Sequence, residues 1–257
     1  MGGTAGNILA DSTVTEYMNP SAFDIRRSDS RYRTNMGWLD SHHSFSFGPH
    51  YDRDNTHHGQ LLVLNDDIVR GGSGFGTHAH RDMEIITWVL SGELEHRDSE
   101  GNLGSIVPGL AQRMSAGSGI THSERNAKPD VDVHFLQMWI VPDTSGGTPG
   151  YEQLDVSDAL GTGALVPVVS GQGHAGAISL QQRDAVLWAG RLSASTTVDV
   201  PTSDHVHLYV ARGDGDLTHA GVNARLLTGD AARLVAPADH EFTAGPEGAE
   251  VLIWATA

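Results

Sequence analysis

The stretches GSGFGTHAHRDMEIITWVLSG (residues 72–92) and RMSAGSGITHSERN (residues 113–126) decide how this chain folds. Each carries two polar side chains spaced two residues apart, His78 and His80 in the first and His122 and Glu124 in the second. Successive side chains of a β-strand alternate between its faces, so each pair projects from one face of its own strand. Three imidazoles and a carboxylate can then converge on one point. Such donors are borderline to hard, and with no thiolate to close the site they suit a divalent transition metal that keeps coordination positions open.

The framing residues sharpen this reading. Gly72, five residues, His78-x-His80, three residues and Glu84 resemble the first cupin motif, although its closing glycine, Gly92, comes one residue late. Gly119, two residues, His122, three residues and Asn126 resemble the end of the second, with Gly117 where that motif usually has proline. Beyond these, GWLDSHHSFSFG (residues 37–48), HFLQMWIVP (134–142) and TPGYEQ (148–153) make the chain similar to the pirins, two-domain cupins, and to the bacterial pirin-like proteins described as quercetin 2,3-dioxygenases. The second half is matched loosely, through LQQRDAVLWAGRL (180–192) and HLYVARG (207–213).

The resemblance implies an all-β bicupin: two cupin (jelly-roll) domains in tandem, facing each other, with a metal in the first only. It implies a site of His78, His80, His122 and Glu124 holding one divalent metal, iron first, with manganese, cobalt, nickel, copper or zinc as alternatives. In many cupins the first-motif glutamate, here Glu84, is a ligand instead. Glu124 shares strand parity with His122. Glu84 lies four residues past His80, about 13 Å along a straight strand, and needs a bulge or turn to return to the metal. Glu124 is therefore the expected fourth ligand and the general base, with Glu84 behind the ligands or in the pocket wall. The implied function is dioxygenation of a flavonol such as quercetin. The alternative is a non-catalytic, iron-binding, redox-sensitive regulatory partner of a transcription factor or metabolic enzyme.

Working outward, the apolar residues come in short runs broken by Gly, Asn, Asp and Pro, which points to strands and turns. Expected strands include residues 60–65, 83–90, 93–97, 110–114 and 133–141. Both faces of the 83–90 strand are apolar, so it belongs mid-sheet. A helical turn is expected over 152–160. The second half repeats the style, with strands over 164–169, 177–182, 185–192, 205–211, 224–227, 232–235 and 251–254, and a hairpin over 214–224. The expected division is a flexible tail (1–20), a metal-binding cupin (21–150) and a second cupin without metal (151–257). His205-x-His207 with His240 lacks the glycine framing and is read as structural, as are His96 and His134, with pocket lining as the alternative for His134. Trp88, Phe75, Met114, Trp139 and Met138 are candidates for apolar lining or core.

Composition sets the outer bounds. Cysteine is absent, so there is no disulfide framework and no thiolate ligand, and a reducing, cytoplasmic setting is expected. Lysine and arginine total 16 against 32 acidic residues, a net charge of −16 that disfavours nucleic acid and anionic membranes. The expected partners are a flavonol-like small molecule and dioxygen, with room for a protein partner, and the chain is expected to be a monomer. The first twenty residues lack the basic start and apolar core of a signal peptide.

Overall fold

The computed structural model describes residues 23–235 and 238–257, and the expected tail lies outside them. Twelve strands lead up to the chain's one α-helix among the described residues: β1 (Asp24–Arg26), β2 (Tyr32–Asn35), β3 (Leu39–His43), β4 (Leu61–Val69), β5 (Gly74–His80), β6 (Glu84–Ser91), β7 (Leu94–Asp98), β8 (Leu103–Ile106), β9 (Leu110–Ser115), β10 (Ile120–Arg125), β11 (Val133–Ile140) and β12 (Gly150–Asp155). After α1 (Ser157–Leu160) come β13 (Val166–Ser170), β14 (Ile178–Ser179), β15 (Val186–Leu192), β16 (Thr197–Asp199), β17 (His205–His219), β18 (Val222–Leu227), β19 (Ala231–Val235) and β20 (Glu241–Thr256).

These strands form three sheets. A seven-stranded sheet, in the order β12-β9-β6-β11-β4-β3-β2, and a four-stranded sheet, β5-β10-β7-β8, enclose the first cupin. A nine-stranded sheet, β1-β19-β17-β20-β15-β13-β14 with β16 and β18 alongside, builds the second. The architecture is the all-β bicupin that the resemblance implies.

Two details of the division differ from the sequence reading. β12 begins at the expected boundary and closes the first sheet by pairing with β9, while β1 joins the second sheet through β19. The expected helical turn over 152–160 is strand up to Asp155 and helix only over Ser157–Leu160. Pairing with β9 captures Gly150–Asp155 because β9 would otherwise be an open edge.

β6 shows how alternation positions the site. It lies mid-sheet between β9 and β11, as its two apolar faces require. Ile86, Trp88 and Leu90 pack outward in a shared core with Val168, Val169, Leu187, Tyr209 and Trp254 of the second cupin. Ile85 and Val89 point inward. The first barrel therefore has apolar clusters around Phe135 and Val89 and around Ile85 and Met114, and a polar belt of Ser41, His43, Asn65, Asp67, Gln137, His96, His122 and Glu124, all buried. In the second cupin the equivalent space is filled by Val206, Leu208, Val210, Leu217, Phe242, Val251 and Ile253.

Candidate metal centre

The imidazoles of His78, His80 and His122 converge. Ring centroids are 4.8 Å apart for His78–His80, 4.4 Å for His78–His122 and 4.9 Å for His80–His122. One ligand atom from each lies within 4.8 Å of the others, a spacing that a single ion can bridge. His122 and His78 face each other directly across β10 and β5. Between the His122↔His78 and Glu124↔Phe75 pairs the register shifts, because β5 advances three residues while β10 advances two. This bulge turns Phe75 to the same side as His78, which straight alternation forbids.

The bulge also fixes a proton. The Nδ1 of His78 donates to the carbonyl of Gly76, 2.8 Å away, which leaves its Nε2 lone pair free for a ligand. His122 has a buried Nε2 with no hydrogen-bond partner among the described residues. An orphaned buried nitrogen beside two other imidazoles fits a metal, since an unpaired buried polar atom costs free energy. Burial, aided by the neighbouring imidazoles, lowers the His122 pKa to about 3, and burial with His78 lowers that of His80 to about 4, so both are neutral at physiological pH.

Glu124 is fully buried against the same interior. It groups with His122 and His96, one ligand atom of each lying within 4.8 Å of the others. Gln137 Nε2 donates to Glu124 Oε2 at 2.6 Å. Burial pushes its carboxyl up to about 7, with the Gln137 amide pulling the other way.

The structure corrects the expectation for Glu84. Sharing parity with Ile86 and Trp88, it faces the second cupin, where its Oε2 accepts from Ser115 Oγ (2.9 Å) and from the backbone N–H of Gln181 (3.2 Å). It stands neither behind the ligands nor in the pocket wall. His96, read as structural, instead joins the site: its Nδ1 lies 3.4 Å from Nδ1 of His122, and its Nε2 is 3.3 Å from Asp98. His134 bonds to Asp66 at 2.5 Å. The His205, His207 and His240 set does not converge, since His205 and His207 lie near His58 while His240 stacks on His219.

A cavity of about 470 Å³ opens onto the centre, lined by His78, His80 and Glu124. Its walls include Trp38, Phe47, Phe75 and Trp139, with His43, Asn65, Asp67 and Gln137 as polar points. Of the residues read as lining or core, Phe75 and Trp139 line it, whereas Trp88 and Met138 pack between the cupins and Met114 in the barrel core. Sequence reasoning missed Asp67, Asn65 and His43; the only available signal was polar residues inside apolar strands. A wider groove of about 640 Å³ follows the outer side of β5 past Thr77, Arg97 and Arg125.

The departures from the motif have backbone reasons. Gly117 sits at φ +48°, which proline cannot adopt, and a Cβ there would lie 2.3 Å from the Gly147 carbonyl oxygen. Gly92 turns at φ +83° where a Cβ would lie 2.6 Å from the Asp132 carbonyl oxygen.

Residues 25–140 match the pirin family model, and residues 167–254 match that of the quercetinase C-terminal cupin domain. The chain belongs to the pirin family. A Mycobacterium tuberculosis relative, provisionally named a quercetin 2,3-dioxygenase, is 50% identical over 232 residues, covering 90% of this chain and 93% of that protein. The quercetin 2,3-dioxygenase of Escherichia coli K12 is 39% identical over 206 residues, covering 80% and 87%. The crystal structure of the E. coli pirin YhhW in complex with nickel(II) superposes with a TM-score of 0.81 at 35% identity, covering 90% of this pirin and 97% of that chain. Among the described residues, no helix of this pirin is long and apolar enough to cross a membrane.

Proposed function

We propose that this pirin is a metal-dependent dioxygenase that opens the central ring of a flavonol such as quercetin, consuming dioxygen and releasing carbon monoxide. The observation that carries the reading is the aromatic-walled cavity whose floor holds His78, His80 and Glu124. Its relatives' names and the nickel complex of YhhW agree with it.

In this reading His78, His80, His122 and Glu124 hold the ion, with iron assigned on the likeness of the donor set to non-haem oxygenases. When bound, the metal supplies Lewis acidity that makes a flavonol hydroxyl more acidic. Glu124 accepts that hydroxyl's proton, and the Gln137 amide orients the accepting carboxylate. Trp139, packed edge-on against His80 with ring centroids 4.9 Å apart, and Phe47, packed edge-on against Trp139, wall a flat ring away from water.

The test is anaerobic quercetin binding to protein reconstituted with each divalent metal in turn, followed by oxygen. Decay of the flavonol absorption with carbon monoxide release supports the enzyme. Absence of turnover with every metal overturns it and leaves the regulatory alternative.

A further inference from the structure

Asp67 is a buried carboxyl that the proposed chemistry does not use. On β4 it shares the inward face with Asn65, opposite Ser41 of β3 and Phe135 of β11. It is 3% exposed and lines the same cavity as His78, His80 and Glu124. Of its polar neighbours, the Ser41 hydroxyl bonds to the Asp67 carboxyl, Asn65 Oδ1 meets His43 Nδ1 at 2.8 Å, and Gln137 is engaged by Glu124. Asp67 Oδ1 has no hydrogen-bond partner among the described residues. It is also outside both groups of prospective ligands, so a metal does not account for it.

A carboxylate oxygen buried without a partner costs free energy on folding, and such a group in a native site calls for a ligand that supplies the missing donor. Of the other walls, Met36, Trp38, Phe47, Phe75 and Trp139 are apolar or aromatic and select for shape, while the polar His43, Asn65 and Gln137 are already hydrogen-bonded within the wall. We propose that Asp67 is the specificity-determining residue of the cavity, accepting a hydrogen bond from a second hydroxyl of a polyhydroxylated aromatic substrate whose first hydroxyl faces the metal. The proposal rests on the flavonol reading and adds to it the requirement for a remote hydroxyl. Because the site is built to pair with that hydroxyl, an analogue lacking it leaves Asp67 Oδ1 unsatisfied and is rejected.

The experiment is calorimetric titration of the nickel(II)-loaded protein, without oxygen, with quercetin and with 3-hydroxyflavone. The latter keeps the 3-hydroxyl and 4-keto pair and lacks every other hydroxyl. Wild type should bind quercetin more tightly, and Asp67→Leu should weaken quercetin about 10-fold to 100-fold while leaving 3-hydroxyflavone unchanged. Asp67→Asn, which keeps an acceptor oxygen and the shape, should fall between the two and decides the matter if the leucine variant does not fold. Equal weakening of both ligands in the variants means a structural role and overturns the proposal. Wild type binding both ligands alike, or variants binding quercetin as well as wild type, overturns it while the flavonol reading stands. Wild type binding neither ligand overturns both.

Discussion

His122 and His96 face each other inside the first cupin with their Nδ1 atoms 3.4 Å apart. One of the two must carry the proton. Behind His96, its Nε2 lies 3.3 Å from Asp98. Burial works against the Asp98 charge, but the Asn102 side chain and backbone together with His96 hold that carboxyl below the usual range, so it is an acceptor. His96, kept neutral by burial, therefore donates from Nε2 and accepts at Nδ1. His122 must then carry its proton on Nδ1 and expose the Nε2 lone pair, the orphaned buried atom of the site.

This arrangement makes His96 and Asp98 positioning residues. Substituting His96→Phe or Asp98→Asn should leave the fold intact and lower metal affinity about 10-fold to 100-fold, the usual effect of losing a group that orients a ligand. Competition with a chromophoric chelator measures it. Unchanged affinity in both variants would show that the His122 tautomer is set elsewhere.

The three converging imidazoles make metal binding part of stability. Chelation should lower the melting temperature in a metal-dependent way, because the ion binds the native site and not the unfolded chain. His78→Ala and His122→Ala should each lose the metal and this chelator response, as read by elemental analysis and calorimetry. His205→Ala should keep both, since His205 sits beside His58, in neither group of prospective ligands.

The joint between the cupins has its own signature. Asp66, on the outward face of β4, accepts from Tyr209 OH at 2.6 Å and from Arg31 at 3.3 Å, and pairs with His134 at 2.5 Å. Burial alone would raise its pKa, but His134, Tyr209 and Arg31 outweigh it and lower the value to about 2 from 3.8. A depressed folded-state pKa contributes stability that is present above the unfolded value, near 4, and lost as pH falls through about 2. Asp66→Asn should therefore cost about 2 kcal/mol at neutral pH, and the gap between the two proteins in chemical denaturation should close as pH falls from about 4 to about 2. A gap that does not change with pH would mean that Asp66 acts through shape alone.

How much of this was legible in the sequence follows from parity. His78, His80, His122 and Glu124 could be brought together because each pair needs only the two-residue repeat of its own strand. Phe75 beside His78 needs a bulge, which sequence alternation does not announce. Glu84 matches a cupin ligand by spacing, yet shares parity with Ile86 and Trp88 and is carried outward with them. Asp66 and Asp67 are adjacent, so one must face inward and one outward; Asp67 is buried inside the first barrel, and Asp66 is half-buried because a second cupin covers the outer face. That cover is a tertiary fact, and so is the nearness of His96 to His122, which depends on β7 pairing with β10.

The two glutamates give the sharpest contrast. Glu124 lies fully buried beside His122 and opens onto the cavity, whereas Glu84 is held by Ser115 and Gln181 on the far face of the sheet. Glu124→Gln keeps the size and one coordinating oxygen but removes the charge and with it the proton acceptor. If Glu124 serves mainly as the base, metal content should stay near normal while turnover falls about 10²-fold to 10⁴-fold, the usual worth of a positioned general base. If it serves mainly as a ligand, metal content and rate should fall together, and added metal should restore activity. The first outcome is expected, because the carboxylate is anchored by Gln137 at 2.6 Å and groups with His122 and His96 rather than with all three converging imidazoles. Glu84→Gln should retain both metal and turnover, with a modest loss of stability from the weakened hydrogen bonds to Ser115 and Gln181. Metal loss in Glu84→Gln together with a mild Glu124→Gln would mean that the strand order around β6 differs in the metal-bound protein.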